Sequence, residues 1–400
     1  MTIFGYGKTT KAIVEKFGNC KVYDDKFFAI SYDKYGNEFL PPEMFDPQKS
    51  DLEVTSPGIL PSNPLIKKAK NLISEYDLFA DSMPYSIWIS GTNGKTTTTN
   101  MMQHLLKEKG SQEGGNVGTP LAKLDPDANI WILETSSFTL HYTTKAKPNL
   151  YILLPISPDH ISWHGGFEEY EKAKLKPLDV MREGEAIILP KKYASYPTNA
   201  FKILYEDAND LAEYFDIDIK KVNFKEPFLT DALLALGVSK ILFDELNYEK
   251  INDFKIGKHR VEEFKDIHNR LWINDSKATN ADATIAALKS YKQNHINLIL
   301  GGDDKGADLT PLFETIQNYD ISIFSIGLNS NKIQTLCKKY KIDHQSCKTL
   351  EKAVHAIIQN SKFKIQNSTN ILSPAAASLD QFSSYEQRGK DFINFVKKFS

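Results

Sequence analysis

The chain of 400 residues is 41% hydrophobic and 25% charged, the proportions of a globular protein with more than one core. A formal net charge of −2 excludes a global field for nucleic acid or an anionic membrane, and confines any phosphate binding to a local positive patch. Cys20, Cys337 and Cys347 form no CxxC pair, no apolar run is long enough to span a bilayer, and "MTIFGYGKTT" lacks the apolar core of a signal peptide. Disulfides and structural zinc are therefore not expected, and the reducing cytoplasm is the expected compartment.

In chain order, "GYGKTTKAI" offers a Rossmann-like glycine fingerprint from Gly5, with Thr10 where the third glycine belongs. Alone it is equally a plain strand–helix turn. "VTSPGIL" places Gly58 after a strand, in another turn able to face phosphate. A seam near "FADSMP" precedes the apolar strand "YSIWIS" and then "GTNGKTTTTN".

That stretch is a shortened phosphate loop, because Ile89 stands where the standard motif has its first glycine. Gly91 and Gly94 let backbone N–H groups approach phosphates at a helix N-terminus, Lys95 can reach the β- and γ-phosphates, and the Thr96 hydroxyl can ligate Mg²⁺. Thr92, Asn93 and Thr97 complete the expected phosphate cradle.

Glu134 ends the strand "IWILE", a place suited to Mg²⁺ ligation in an open sheet; a capping turn is the alternative. "SPDHISWHGG" brings Asp159, His160 and His164 to the end of the strand "YILLPI". Lys174, in "EEYEKAKLKPL", reads as part of a solvated charged helix. A second seam near "INDFKIGKHR" divides the chain into 1–83, 84–257 and 258–400. Apolar strands such as "INLILGG" and "ISIFSIG" recur with small-residue turns and helices, predicting an α/β protein with mainly parallel sheets.

Taken in order, "SGTNGKTTT", "GGNVGTPL", "LETSSFTL", "DHISWH", "NDSKATN", "LGGDDKGAD" and "SPAAASLDQFSSYEQRGKDF" resemble the Mur ligases of peptidoglycan precursor synthesis. The last stretch points to the branch that adds D-glutamate. The resemblance covers the whole chain and implies three domains: a Rossmann-like N-terminal UDP-binding domain, a central P-loop ATPase domain and a Rossmann-like C-terminal domain. It implies a cytoplasmic ligase, expected as a monomer with no nucleic-acid or membrane partner. Its substrates would be ATP, UDP-N-acetylmuramoyl-L-alanine and D-glutamate, joined through an acyl phosphate and a tetrahedral intermediate.

The resemblance also assigns roles. Thr96 and Glu134 would hold one Mg²⁺ and His160 a second, with Lys174 carried as a carbamate. Lys95, His160, Lys174 and Lys277 would be catalytic. Gly7, Asp24, Asp25, Gly58 and Asn116 would hold the UDP substrate. Asp231, Arg260 and Asp275 would reach ATP. Lys277, Thr279, Lys305, Ser378 and Tyr385 would surround D-glutamate.

Departures from the family pattern fall at Phe228 and Asp231, where adenine-binding asparagines are expected, and at Ser162, where an aspartate is common. The chain is also short between Lys191 and Lys225. A sister ligase, a folylpolyglutamate synthase, or an NTPase module without ligase activity are the competing readings. The last would need Lys95 and Thr96 but not Lys174, Lys277 or Lys305.

Overall fold

The computed structural model describes residues 1–116, 118–359 and 368–400; Val117, within "GGNVGTPL", lies outside them. The chain folds around three six-stranded sheets. The first contains β1 (Thr2–Phe4), β2 (Lys21–Tyr23), β3 (Ser31–Tyr32), β4 (Glu38–Leu40), β5 (Glu53–Thr55) and β6 (Leu72–Ile73). Their order is β3-β4-β2-β1-β5-β6, parallel except where β3 meets β4. The second contains β7 (Tyr85–Ser90), β8 (Ser111–Gly115), β9 (Ile130–Glu134), β10 (Leu150–Leu153), β11 (Ala186–Pro190) and β12 (Phe201–Tyr205). It is wholly parallel, in the order β12-β11-β10-β7-β9-β8. The third contains β13 (Glu262–Lys265), β14 (Leu271–Asn274), β15 (Ile296–Gly301), β16 (Ile321–Ile326), β17 (Asp343–Lys348) and β18 (Thr369–Leu372). It runs β13-β14-β18-β15-β16-β17, with β13 alone antiparallel.

Central strands such as "SIWIS" and "IWILE" are buried along their whole length, as parallel strands covered by helices on both faces must be. In the third sheet the pleat separates neighbours. Ile273 and Leu298 enter one apolar cluster, whereas Trp272 and Ile299 enter another, so each face has its own core.

By contacts the chain forms two units: residues 1–223 with 228–254, and residues 224–227 with 255–400. The first unit contains two sheets because one apolar cluster runs through both, from Ile3 and Val54 to Trp88 and Leu133. Tyr76 meets Trp88 edge-on, with ring centroids 4.7 Å apart. Glu75 is buried beside it, and the Ala122 N–H donates to its Oε1 at 3.5 Å. Burial pushes this carboxyl up to about 8, with the backbone N–H groups of Ala122 and Leu121 working the other way.

The helix Phe228–Phe243 packs on the helix Lys95–Leu106 and on Ala208–Phe215. Gly237 lies against Phe215, where a Cβ would come within 2.5 Å of the ring. Gly237→Ala gains about 1 kcal/mol of helix propensity but meets an overpacking cost of about 1–3 kcal/mol. A lower thermal midpoint is expected, and a raised one would show that the two helices part easily. Glu75 supplies a pH-dependent counterpart. Between its ordinary 4.5 and about 8 the folded chain keeps a proton that the unfolded chain has lost, so stability falls as pH rises through that window. Glu75→Gln should flatten this fall and melt above the parent beyond about pH 8; identical pH profiles would contradict the assignment.

Candidate active site

The register of the second sheet brings its chemistry to one end. Glu134 of β9 lies level with Ile89 of β7, and Leu153 of β10 lies level with Ser90. The loop Gly91–Gly94 therefore leaves β7 between the ends of β9 and β10, in the crevice where parallel sheets bind ligands. Gly94 caps the helix Lys95–Leu106 at φ 84°, a left-handed conformation costly for other residues. Asn93, Lys95 and Thr96 are half-buried; Thr97 is buried.

Thr92 is buried and serves the shape of the loop. Its N–H donates to Pro155 O at 3.1 Å, and its hydroxyl reaches Ser157 O and the Tyr170 hydroxyl at 3.0 Å each.

Two lysines converge on the Gly91 carbonyl. Lys95 Nζ donates to it at 3.0 Å and to Thr92 O at 2.6 Å, and Lys174 Nζ donates to it at 2.8 Å. The expectation that Lys174 lies on a solvated helix face is overturned, because the residue is 1% exposed. Its Nζ sits 4.8 Å from the Tyr170 ring centroid. Burial, followed by repulsion from Lys95, pulls its ammonium well below the ordinary lysine range, against the attraction of Asp159 and Glu134.

Glu134 is 2% exposed. Asn116 Nδ2 donates to its Oε1 at 2.8 Å, while Oε2 is buried without a hydrogen-bond partner. A buried carboxylate oxygen left open is costly unless something positive completes it, so Glu134 fits a metal ligand. Among the described residues no three His, Cys, Asp or Glu side chains form a metal cage on their own. This suits Mg²⁺, which takes one or two carboxylates and fills its shell with phosphate oxygens and water.

His160 adopts φ 51° and starts the short helix Ile161–His164. Its exposed ring stands 4.7 Å from Phe138 and 3.6 Å, Nε2 to Oδ2, from Asp159. His164 turns inward: its Nε2 pairs with Ser137 Oγ at 3.0 Å, and burial, then His141, His160 and Lys174, push it down to about 4. Trp163 between them donates its indole N–H to Gly58 O at 3.2 Å, and the Tyr142 hydroxyl donates to Ile59 O at 2.7 Å. These bonds bring the Gly58 turn, expected to face the nucleotide substrate, to the histidine loop.

Gly7 caps the helix Lys8–Phe17. Thr10, in the third glycine's place, closes the turn by donating to Gly5 O at 2.7 Å and accepting from Gly7 N at 3.0 Å. Asp24 accepts the Tyr6 N–H at 2.6 Å and is thereby held at the mouth of this turn; Asp25 and Gly58 are exposed. Thr9, Thr55, Glu75, Tyr76, Asn116 and Tyr142 line a cleft between the first two sheets.

Asp231, expected at the ATP site, lies beside the phosphate loop, where a Cβ on Gly94 would come within 2.8 Å of its Oδ1. The helix that carries it packs on the phosphate-loop helix, so its carboxylate is buried and accepts Thr98 Oγ1 at 2.8 Å.

In the second unit, Arg260, Asp275, Lys277 and Tyr385 gather near the end of β14. Asp275 accepts Ser373 Oγ at 2.7 Å and the Val261 N–H at 3.2 Å. Burial pushes it up to about 7, against those bonds, Arg260 and Arg388. Lys277 Nζ lies 4.0 Å from the Tyr385 ring centroid. Ser378 is buried, whereas Thr279 and Lys305 are exposed on the turns after β14 and β15. Reasoning from sequence missed His259, Asn274 and Arg388, which are buried behind this group. Asn274 Nδ2 bonds His259 Nδ1 at 2.8 Å. The signal for Arg388 was its spacing with Phe392 and Val396, the apolar stripe of the last helix.

Comparison with known proteins places this arrangement. Residues 89–225 match the Mur ligase middle domain. The fold is similar to a MurF ligase from Thermotoga maritima crystallised with ADP, with a TM-score of 0.59 over 87% of this chain and 88% of that one at 14% identity. It is similar also to a Mycobacterium tuberculosis folylpolyglutamate synthase, with a TM-score of 0.55 over 82% and 95% at 12% identity. Along its full length the chain is 54% identical to the UDP-N-acetylmuramoylalanine--D-glutamate ligase of Campylobacter jejuni strain 81-176, covering 99% of that protein. It is 45% identical to the enzyme of the same name from Helicobacter pylori J99, again over 100% of this chain and 99% of the relative. The chain belongs to the UDP-N-acetylmuramoylalanine--D-glutamate ligases of the Mur ligase family.

Proposed function

We propose that this chain joins D-glutamate to UDP-N-acetylmuramoyl-L-alanine at the expense of ATP, in the cytoplasm, as a monomeric step of peptidoglycan precursor synthesis. Full-length kinship with D-glutamate ligases carries the choice of acceptor. The chemistry rests on Lys95 and Glu134 standing at the same end of the neighbouring strands β7 and β9. Three domains with boundaries near residues 83 and 257 are part of the reading.

The γ-phosphoryl group of ATP passes to the carboxylate of the nucleotide substrate, giving an acyl phosphate and ADP. The amine of D-glutamate attacks the acyl carbon, and the tetrahedral intermediate expels phosphate. Lys95 leaves the loop carbonyls to meet the transferring phosphoryl group, with the loop N–H groups of Gly94 and Thr96 beside it. Gly7, Asp24, Asp25, Gly58 and Asn116 hold the nucleotide substrate. Arg260 and Asp275 serve ATP, and Lys277, Thr279, Lys305, Ser378 and Tyr385 serve D-glutamate, whose two carboxylates call for fixed cations and donors. Thr96 and Glu134 would hold one Mg²⁺, and His160 a second. When bound, Mg²⁺ neutralises charge on the phosphates.

Lys174 is read as a carbamate. Its burial and the neighbouring Lys95 favour the neutral amine. That neutral amine adds CO₂ to form an N–C bond and releases one proton, so an uncharged group becomes an anion near Lys95, where it would serve the second Mg²⁺. The anion attracts the Lys95 ammonium, whereas a charged Lys174 would repel it.

Phosphate release from ATP should require UDP-N-acetylmuramoyl-L-alanine and be completed by D-glutamate. Equal turnover with L-glutamate would defeat the assignment. Lys174→Ala should lose roughly 10–100-fold in Mg²⁺ affinity or activity while keeping the parent's far-UV spectrum, and short carboxylic acids should restore part of the loss. Near-parental activity of this variant in CO₂-depleted buffer would exclude the carbamate.

A further inference from the structure

Arg388 is 1% exposed, yet its guanidinium bridges two strand-end loops. Nε donates to Ser276 Oγ at 2.9 Å, and Nη2 donates to Ser276 O at 2.8 Å and Ala376 O at 3.1 Å. Ser276 follows β14 and precedes Lys277. Ala376 follows β18, two residues before Ser378. The loop after β15, which carries Lys305, joins the same knot. Asp303 and Ala377 exchange backbone bonds at 3.0 and 2.9 Å, and Nη1 lies 3.3 Å from where a Cβ on Gly302 would stand. These strands lie side by side in the order β14-β18-β15, so the buried cation ties the ends of β14 and β18, and the Asp303–Ala377 backbone pair adds the end of β15.

A guanidinium kept for the fold alone would have every donor satisfied, because an unmatched buried donor is costly. Here Nη1 is buried without a hydrogen-bond partner, on the side facing the Gly302 loop. Ser276 Oγ in turn donates to Tyr385 O at 2.9 Å, drawing in the helix start that bears Tyr385.

We infer that Arg388 is a positioning residue for the amino-acid substrate, holding the loops that carry Lys277, Lys305 and Ser378 in register through Ser276 and Ala376. The inference rests on the functional reading above. Arg388 acts behind the pocket, so its loss should loosen the acceptor's carboxylate partners most, and a lysine in its place keeps the charge that acts on the neighbouring Asp275. Lysine keeps the charge but cannot reproduce the planar fork that reaches two loops at once.

The test measures phosphate release by the whole chain with Mg²⁺, ATP and UDP-N-acetylmuramoyl-L-alanine, varying each substrate. Arg388→Lys should raise KM for D-glutamate by about 10- to 100-fold, the scale of a displacement near 1 Å. KM for ATP and for the nucleotide substrate should stay within about twofold. Ser276→Ala, which leaves the guanidinium in place and removes the acceptor of Nε, should raise the same KM by a smaller factor, and it decides the matter if the lysine variant does not fold. A lower melting temperature with all three KM values at the parent's level would make Arg388 purely structural and overturn the inference. Equal rises in all three would overturn it too. If the parent itself shows no D-glutamate-dependent turnover, the functional reading falls and takes this inference with it. If the parent turns over and only the variants behave like it, this inference alone is lost.

Discussion

One backbone carbonyl organises the active end of the first unit. Gly91 O receives hydrogen bonds from both Lys95 and Lys174. Two ammonium groups on one neutral acceptor, one of them fully buried, repel each other with little water to screen them. The arrangement persists comfortably only if one lysine leaves or one changes its charge. In the proposed reaction, phosphate would draw Lys95 outward and CO₂ would convert Lys174. The phosphate loop is thus poised for an anion before any nucleotide arrives. Glu134, with one oxygen held by Asn116 and the other open, is poised for a cation a strand away.

The parallel sheets make this economy possible. Every strand that contributes a working residue ends on the same side as its neighbours, so short turns suffice to gather groups distant in sequence. The second unit repeats the device with a different centre: Arg388 in place of a shared carbonyl, joining two strand ends directly and a third through the backbone pair of Asp303 and Ala377. In both units a buried basic side chain, Lys174 or Arg388, sits behind more accessible lysines or loop amides. The exposed groups can meet a ligand, and the buried one sets where they stand.

What was legible in the sequence follows from which residues are chemically irreplaceable. The strand, the loop glycines, Lys95 and the helix start could be read directly, since phosphate binding leaves few alternatives. Lys174 was singled out by the family resemblance alone, because the composition of "EEYEKAKLKPL", rich in charge, hides its burial. Its helix nevertheless buries Tyr170, Ala173, Lys174, Pro177 and Leu178, the i, i+3, i+4, i+7, i+8 stripe of a core-facing helix, and Lys174 stands on it. Arg388 was hidden in the same way. For Asp231 the helix was legible but not the neighbour: its bond to Thr98 depends on how that helix packs on the phosphate-loop helix. Charge read without its phase around the helix was the common fault. The merging of the first two sheets was beyond reach too, because a core shared between sheets depends on shape, not on local pattern.

The contact of Trp163 with Gly58 has a spectroscopic consequence. The chain has four tryptophans, and Trp88, Trp131 and Trp272 are at most 1% exposed. Only Trp163 is half-buried, and it sits between two histidine rings with its N–H on the turn expected to meet the nucleotide substrate. The three buried indoles therefore supply a constant blue background, and any red-edge, quencher-accessible emission comes from Trp163. The protein carries a built-in fluorophore at the junction of its nucleotide turn and its histidine loop, and light collected at the red edge reports on that junction without a label.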